Sequence, residues 1–158
     1  MALRLRPLRE GELPAFLERV RAEYLRQLVA EAGMTPAQAE AKRDRDLSRL
    51  LPGGEVPAGN HLRLIEDGDS GERVGDLWWA ERENDAGEPA AFVYSVEIAP
   101  ELRGRGFGKE AMLLFEGEAG GRGLRELGLT VLGGNDVARS LYRSIGYRER
   151  AVFMSKTR

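Results

Sequence analysis

The sequence contains no cysteine and a single histidine, His61, among its 158 residues. Without cysteine there can be no disulfide, no thiolate metal site and no thiol nucleophile, and one histidine excludes a clustered-histidine metal centre. We therefore expect no metal. Apolar runs approaching the roughly 18 residues of a membrane span are also missing, and charges at Arg4 and Arg6 break the N-terminal segment, which argues against a signal peptide. The predicted location is the cytoplasm, with no membrane partner.

An excess of one sign of charge is also missing. The 24 Lys and Arg residues nearly balance the 26 Asp and Glu residues, giving a net charge of -2, whereas a nucleic-acid partner calls for a basic surface. We therefore expect no nucleic-acid partner. With 42% apolar and 32% charged residues, the chain can bury a core and does not have the composition of a disordered protein. Its length suits one domain, predicted to span residues 1–158.

The first third of the chain shows one strand and two helices. Leu3–Arg6 alternates apolar and charged residues and stops at Pro7, which predicts a short strand. Apolar residues recur every three or four positions over Leu13–Ala32, which predicts a helix. Thr35–Gln38 has the residues of a capping box with proline at the first helical position, so a second, polar helix is expected to begin there. Pro52–Asn60 then reads as a surface loop.

Strand-like patterns dominate the middle of the chain. Leu62–Ile65, Val74–Ala80 and Ala90–Ala99 are rich in β-branched and aromatic residues and are separated by turns rich in Gly, Asp and Asn, which predicts an antiparallel meander. The remaining segments are predicted as helix, strand, helix and strand, over Ala111–Phe115, Leu127–Leu132, Asp136–Ile145 and Ala151–Ser155. Gly117, Gly120, Gly121 and Gly123 weaken the first of these helices, which we expect to end early or fray.

The segment Glu101–Lys109, here called the glycine turn, lies between the most β-prone run and a helix. Gly104, Gly106 and Gly108 alternate within it. Backbone N–H groups in such a turn face inward at a helix N-terminus, where the helix dipole favours phosphate, and glycine removes the Cβ atoms that would block its approach. The pattern therefore predicts a phosphate or pyrophosphate site.

Two known phosphate motifs fit the glycine turn poorly. A P-loop needs Ser or Thr after Gly108-Lys109, but Glu110 follows, and Arg103 stands where its first glycine belongs. The dinucleotide pattern G-x-G-x-x-A is satisfied by Gly106–Ala111, yet no acidic residue for the ribose follows about 20 residues later. A dinucleotide-binding module is therefore the weaker alternative.

A third motif fits better. Arg103–Gly108 resembles the R/Q-x-x-G-x-G/A signature of the GNAT superfamily of acyl-CoA-dependent N-acetyltransferases. Asn135–Tyr147 is similar to that superfamily's N-x-x-A-x-x-L-Y-x-x-x-G-[FY] helix, and Met154–Lys156 resembles its closing strand. The resemblance covers residues 61–158 and implies an α+β GNAT fold, with a mixed, mostly antiparallel central sheet flanked by helices on both faces.

The resemblance also implies the chemistry. It implies transfer of an acetyl group from acetyl-CoA to a primary amine of a small molecule or peptide, directly in a ternary complex, with a homodimer left open. Val96–Ile98 would pair with the pantetheine arm, and the Ile98 N–H would stabilise the oxyanion. The coenzyme-binding residues implied are Val96, Ile98, Arg103, Gly104, Arg105, Gly106, Phe107, Gly108, Lys109 and Asn135. A non-catalytic acyl-CoA sensor or interaction domain is the alternative of a different class.

Tyr142 is the predicted general acid. A thiol has a pKa of about 8.5 and a phenol of about 10, so a tyrosine stays protonated at neutral pH and can protonate a departing thiolate. The alternative is a core tyrosine, because Ala138, Leu141 and Ile145 share its helical stripe. Asn135 has a similar alternative as a plain helix cap.

Glu97 is the predicted general base, because it is the carboxylate nearest the expected thioester. Strict alternation puts it on the opposite face from Val96 and Ile98, where family bases do not usually lie, unless a β-bulge intervenes. A structural ion pair is the other reading of Glu97. Tyr94 and His61 are alternatives for the acceptor cleft, and adjacent Trp78 and Trp79 must face opposite ways, one in the core and the other at the acceptor site or a dimer contact.

Overall fold

The computed structural model describes residues 2–158. Their helices and strands, in chain order, are β1 Leu3–Pro7, α1 Leu13–Ala30, α2 Pro36–Leu50, β2 Asn60–Asp67, β3 Arg73–Glu83, β4 Pro89–Ile98, α3 Phe107–Gly121, β5 Leu127–Leu129 and α4 Asp136–Ser144. None of the helices in this part of the chain is long and apolar enough to cross a lipid bilayer.

The five strands form one sheet in the order β1-β2-β3-β4-β5. The first four are antiparallel neighbours, and β5 runs parallel to β4. The predicted α+β architecture with a mixed, mostly antiparallel sheet is therefore confirmed. Pairing between β4 and β5 covers only Ala91–Val93 against Leu127–Leu129, so the two strands separate beyond Val93.

Helices cover both faces of the sheet, and each face has its own apolar cluster. On one face, Phe115 and Met112 of α3 pack against Trp79 and Leu77 of β3 and form the centre of what we call the α3 cluster. On the other face, α1 and α2 pack against β2 and β3. We call this group the α1–α2 cluster; its buried residues are Phe16, Val20, Leu47, Leu51, Leu62, Leu64 and Trp78. Trp78 and Trp79 face opposite ways as predicted, but both are fully buried, so neither offers an exposed dimer contact.

The helix ends test two sequence predictions. At α2, the Thr35 hydroxyl accepts a hydrogen bond from Gln38 N at 3.2 Å, and the Gln38 side chain accepts one from Thr35 N at 3.0 Å, so the capping box is confirmed. The expectation that α3 frays at its glycines is wrong. One face of α3, including Ala111 and Ala119, is fully buried, and this packing outweighs the weak helix propensity of Gly117.

The C-terminal predictions need two corrections. The strand expected over Leu127–Leu132 ends at Leu129, and the strand expected over Ala151–Ser155 is not formed. Phe153 is 93% exposed and Met154 is 85% exposed, so this segment packs on nothing among the described residues. A β-prone sequence needs a partner strand and a covered face to become a strand, and the three-residue β5 provides only a short edge.

Candidate active site

The glycine turn forms an open concavity at the start of α3. Gly104 and Gly106 have φ angles of +77° and +84°, a left-handed conformation that glycine adopts without steric cost. A Cβ atom built on either residue would meet nothing within 4 Å, so the space beside them is open. The first N–H groups of α3, from Phe107 onward, have no partner within the helix. The turn therefore combines free donors, a helix N-terminus and room for an anion.

Gly108 has a different role in this turn. Its added Cβ would lie 3.2 Å from Leu141 Cδ1 in α4 and 3.9 Å from Ile98 Cγ1 in β4. The missing Cβ therefore lets α3 pack against α4 and β4. The absent Cβ of Gly108 thus makes room for Leu141 and Ile98, while the backbone N–H of Gly108 belongs to the helix N-terminus.

The end of β4 presents a free backbone edge. Val96, Glu97 and Ile98 pair with β3 on one side, while β5 pairs no further than Val93 on the other. Ala99 N donates to Val74 O at 2.8 Å, toward β3. Because successive N–H groups of a strand point to alternate sides, the Ile98 N–H points into the gap where β5 has separated.

Arg103 connects the glycine turn to this edge. Its Nε donates to the Ile98 carbonyl at 2.9 Å, and its guanidinium lies 3.6 Å from a Glu97 oxygen. Arg105 and Lys109, by contrast, are exposed at the surface and do not line the cavity that lies beside the open edge of β4.

A cavity of about 1060 Å³ lies between α1, α2, α4 and the open edge of β4. It brings together ten of the predicted residues, Val96, Glu97, Ile98, Arg103, Gly104, Gly106, Phe107, Gly108, Asn135 and Tyr142. It is also lined by residues that the sequence analysis did not place in a site, among them Glu23, Arg26, Asp46, Arg82 and Phe92. These residues come from α1, α2, β3 and β4, and no local motif in the sequence identifies them.

A β-bulge in β4 orients the side chains around this cavity. Trp79 pairs with Val93 and Trp78 pairs with Ser95, so Tyr94 is the extra residue of β4. Such an insertion changes which residue parity faces each side of the sheet.

The consequence is visible at Glu97. Val96 and Ile98 pack with the α3 cluster, and Glu97 faces α1, because it lies opposite Asp76, which is ion-paired with Arg19 of α1. The expectation that Glu97 opposes Val96 and Ile98 is confirmed. The bulge places it on the same face as Tyr94, which packs with the α1–α2 cluster.

The surroundings of Glu97 favour its neutral form. Burial, followed by the negative charges of Glu23 and Asp76, raises its pKa from about 4.5 to about 7, and the positive charge of Arg103 opposes this rise. Its side chain is 15% exposed. Asp76 differs, because hydrogen bonds from Arg19 and Arg73 outweigh the cost of burial and lower its pKa. The pKa values of these two neighbouring carboxylates are therefore shifted in opposite directions.

Tyr142 lines the cavity from α4 and packs against the α3 cluster. Burial raises its pKa to about 12, so the phenol is protonated at neutral pH. Among residues 2–158 no group makes a hydrogen bond with the Tyr142 hydroxyl. The ring of Tyr142 is therefore packed as a core residue would be, while its hydroxyl is free to donate a hydrogen bond or a proton to a ligand in the cavity.

Asn135 and His61 resolve two of the open alternatives. Asn135 Oδ1 accepts a hydrogen bond from Ala138 N at 3.0 Å, so this residue caps α4 and also lines the cavity. His61 lies 4.2 Å from Trp79 between ring centroids and 3.2 Å from a Glu81 oxygen. It is not part of the cavity lining, so the alternative that places His61 in the acceptor cleft is wrong.

Residues 17–147 match the Acetyltransferase (GNAT) family, and the chain belongs to this family. The glycine turn, the separated strands and α4 described above all lie within the matched residues.

Similar proteins cover almost the whole chain. The uncharacterised N-acetyltransferase YycN of Bacillus subtilis is 31% identical over 157 residues, covering 99% of each protein, and its crystal structure superposes with a TM-score of 0.85 at 29% identity, covering 99% of this chain and 98% of YycN. YdgE of Bacillus subtilis, also an uncharacterised N-acetyltransferase, is 29% identical, covering 99% and 98%. A predicted acetyltransferase from Clostridium acetobutylicum, crystallised with acetyl-CoA, shares the fold at a TM-score of 0.64 and 14% identity, covering 98% and 96%.

Proposed function

We propose that this acetyltransferase transfers an acetyl group from acetyl-CoA to a primary amine of a small molecule or peptide. The observation that carries the proposal is the convergence of four features on one cavity: the glycine turn, the free edge of β4, the carboxylate of Glu97 and the hydroxyl of Tyr142. The first two suit the coenzyme and the last two suit proton transfer.

The coenzyme side of the cavity fits acetyl-CoA. The open space at Gly104 and Gly106 and the free N–H groups of α3 suit a diphosphate. The unpaired edge of β4 at Val96–Ile98 suits an extended arm with amide groups, which can pair as an added strand does. Arg103 already binds the Ile98 carbonyl, and the Ile98 N–H, which points into the gap beside β4, is available for the thioester oxygen. Exposed Arg105 and Lys109 add positive charge beside the turn, and Asn135 borders the far wall.

Glu97 acts as the general base. An alkylamine with a pKa of about 10.4 is almost entirely protonated at neutral pH and must lose a proton before it can attack. A carboxylate with a pKa of about 7 is a stronger base than an exposed one and is still largely ionised slightly above neutrality. It receives the proton directly or through a water molecule. The Ile98 N–H then stabilises the negative charge on the tetrahedral oxygen.

Tyr142 completes the reaction as the general acid. When the carbon–sulfur bond breaks, the phenol donates its proton to the sulfur, because its pKa of about 12 keeps that proton in place until the thiolate forms. Tyr142 regains a proton as the nitrogen of the tetrahedral intermediate loses its extra one, directly or through water, and becomes the neutral amide. The acetyl group passes directly to the amine, since the chain has no cysteine that could carry it. The products are the acetylated amine and coenzyme A.

The test is release of free thiol from acetyl-CoA by the purified protein across a panel of primary amines. We expect amine-dependent release that Glu97→Gln and Tyr142→Phe both suppress. Glu101→Gln is the matched control, because Glu101 is exposed and lies outside the cavity lining. Amine-dependent release that neither site variant affects would refute the assigned residues. Coenzyme binding without turnover of any amine would favour the sensor alternative.

A further inference from the structure

Arg82 is unusual among the cations that line the cavity. Arg26 is paired with Glu23 at 2.7 Å, Lys42 and Arg49 are paired with Asp46 at 2.8 Å and 3.7 Å, and Arg103 is bonded to a carbonyl. Arg82 has no hydrogen bond and no ion pair with any residue from 2 to 158. Its positive charge is therefore the uncompensated one at this end of the cavity.

Aromatic rings hold this guanidinium in place. Its Cζ atom lies 3.6 Å from the Phe92 ring centroid and 5.9 Å from that of Tyr94, and the two rings are 5.2 Å apart. Stacking uses the face of the guanidinium and leaves the N–H donors at its edge free. A planar fork of this kind matches the geometry of a carboxylate.

The separation between Arg82 and Glu97 sets the length of an acceptor molecule that could reach both residues. Phe92, which lies under Arg82, is five residues before Glu97 in β4, and the bulge at Tyr94 takes up one of these steps. At about 3.3 Å per residue, the remaining four steps span about 13 Å. The acidic residues of α1 and α2 that line the cavity, Glu23 and Asp46, are already paired with basic residues.

We propose that the acceptor is an elongated primary amine with a carboxylate about 13 Å from its nitrogen, as in a short peptide, and that Arg82 binds this carboxylate. The inference rests on the proposed function, because it takes Glu97 as the site of the amine. A free amino acid is too short to reach both groups, and an elongated polyamine would bring a positive charge against Arg82.

The experiment compares glycine oligomers of one to five residues, each with a free C-terminal carboxylate or a C-terminal amide. Four residues span about 13 Å when extended, so we expect kcat/KM to peak near tetraglycine. A charge-assisted hydrogen bond gives the carboxylate a preference of about tenfold to a hundredfold over the amide. Arg82→Gln is expected to abolish this preference, so that tetraglycine and its amide have equal kcat/KM.

Arg122→Gln is the matched control. Arg122 also lies over an aromatic ring, 5.8 Å from Trp79, but Trp79 belongs to the cluster on the opposite face. Equal kcat/KM for acid and amide, or a preference that survives Arg82→Gln, would overturn the inference. Turnover of other amines without turnover of any glycine oligomer would also count against it. If no amine at all is acetylated, the proposed function itself fails, which is a different result.

Discussion

Glu97 lies directly opposite Asp76 across the β3–β4 ladder, and both carboxylates face α1. The strands approach so closely here that a Cβ on Gly75 would collide with the Glu97 carbonyl oxygen. Asp76 holds both Arg19 and Arg73, so its charge is fixed. Burial of Glu97, followed by the negative charges of Glu23 and Asp76, raises its pKa, which is why it retains its proton more strongly.

The first prediction concerns the pH dependence of the reaction. Because the base must be ionised and the pKa of Glu97 is about 7, kcat/KM should fall about tenfold per pH unit well below pH 7. The measurement is kcat/KM between pH 5 and pH 9. Glu97→Gln should be slow throughout and lose this acid limb, whereas an acid limb that persists unchanged in the variant would assign it to another group.

The same carboxylate should affect stability in a pH-dependent way. The folded-state pKa of Glu97 lies above its unfolded value of about 4.5, so the folded state binds the proton more tightly, and its stabilising contribution is lost as the pH rises through 7. Glu97→Gln should therefore raise the melting temperature relative to wild type at pH 8 and change it little at pH 5. A gain at pH 5 only would contradict this sign.

The second prediction concerns Tyr142→Phe. The ring remains packed and the hydroxyl has no hydrogen-bond partner among the described residues, so the melting temperature and coenzyme affinity should change little. The rate of acetyl transfer should fall by a factor of about 10² to 10⁴, the usual contribution of a general acid. Steady-state kinetics and coenzyme titration check both parts. A loss below about threefold would mean that Tyr142 is a packing residue only.

The third prediction separates two glycines of the turn. Gly106→Val forces a branched side chain into a left-handed conformation beside the open space, and should reduce the rise in melting temperature that coenzyme A causes. Gly108→Val pushes on Leu141 and should destabilise the protein without ligand by about 1–3 kcal/mol. Differential scanning fluorimetry with and without coenzyme A distinguishes the two. Because any side chain at the left-handed Gly106 is strained, both variants lose stability without ligand, and an equal loss of coenzyme response in the two would contradict the distinction.

The fourth prediction concerns Asp76→Asn. Removing this charge leaves Arg19 and Arg73 without their partner, and breaking a buried ion pair costs about 3 kcal/mol or more. It also removes a negative charge beside Glu97, so the acid limb of the rate profile should move to lower pH. Asp44→Asn is the control, because the Asp44–Arg21 pair is exposed and should contribute less than about 1 kcal/mol. An unshifted acid limb in Asp76→Asn would separate Asp76 from the titration of Glu97.

Local sequence features were sufficient for most of the fold. The capping box at Thr35, the alternation in the meander and the glycine turn each depend on residues within a few positions of one another, and all were predicted. The errors occurred where packing outweighed local preference. α3 continues through Gly117 because its other face is buried, and Ala151–Ser155 has strand propensity but no partner strand.

The coenzyme side of the candidate site and its two proton-transfer residues could be predicted from the sequence, whereas the acceptor side could not. Glu97 and Tyr142 were found because they lie near motifs with fixed spacing. Arg82 and Glu23 come from different elements that meet only after the chain folds, and the pairing that decides which cation is free is a tertiary property. The cytoplasmic location, the single-domain organisation and the homodimer question stay as the sequence left them.

The bulge at Tyr94 makes the chemistry of this cavity depend on the pairing register of β3 and β4 as well as on residue identity. β4 contains one more residue than β3 in the region where they pair. If the same residues paired with β3 without a bulge, every residue after Tyr94 would shift by one position, so that Glu97 faced the apolar α3 side of the sheet and the side chain of Val96 took its place. The extra residue of β4 therefore decides that Glu97, and not Val96, faces α1.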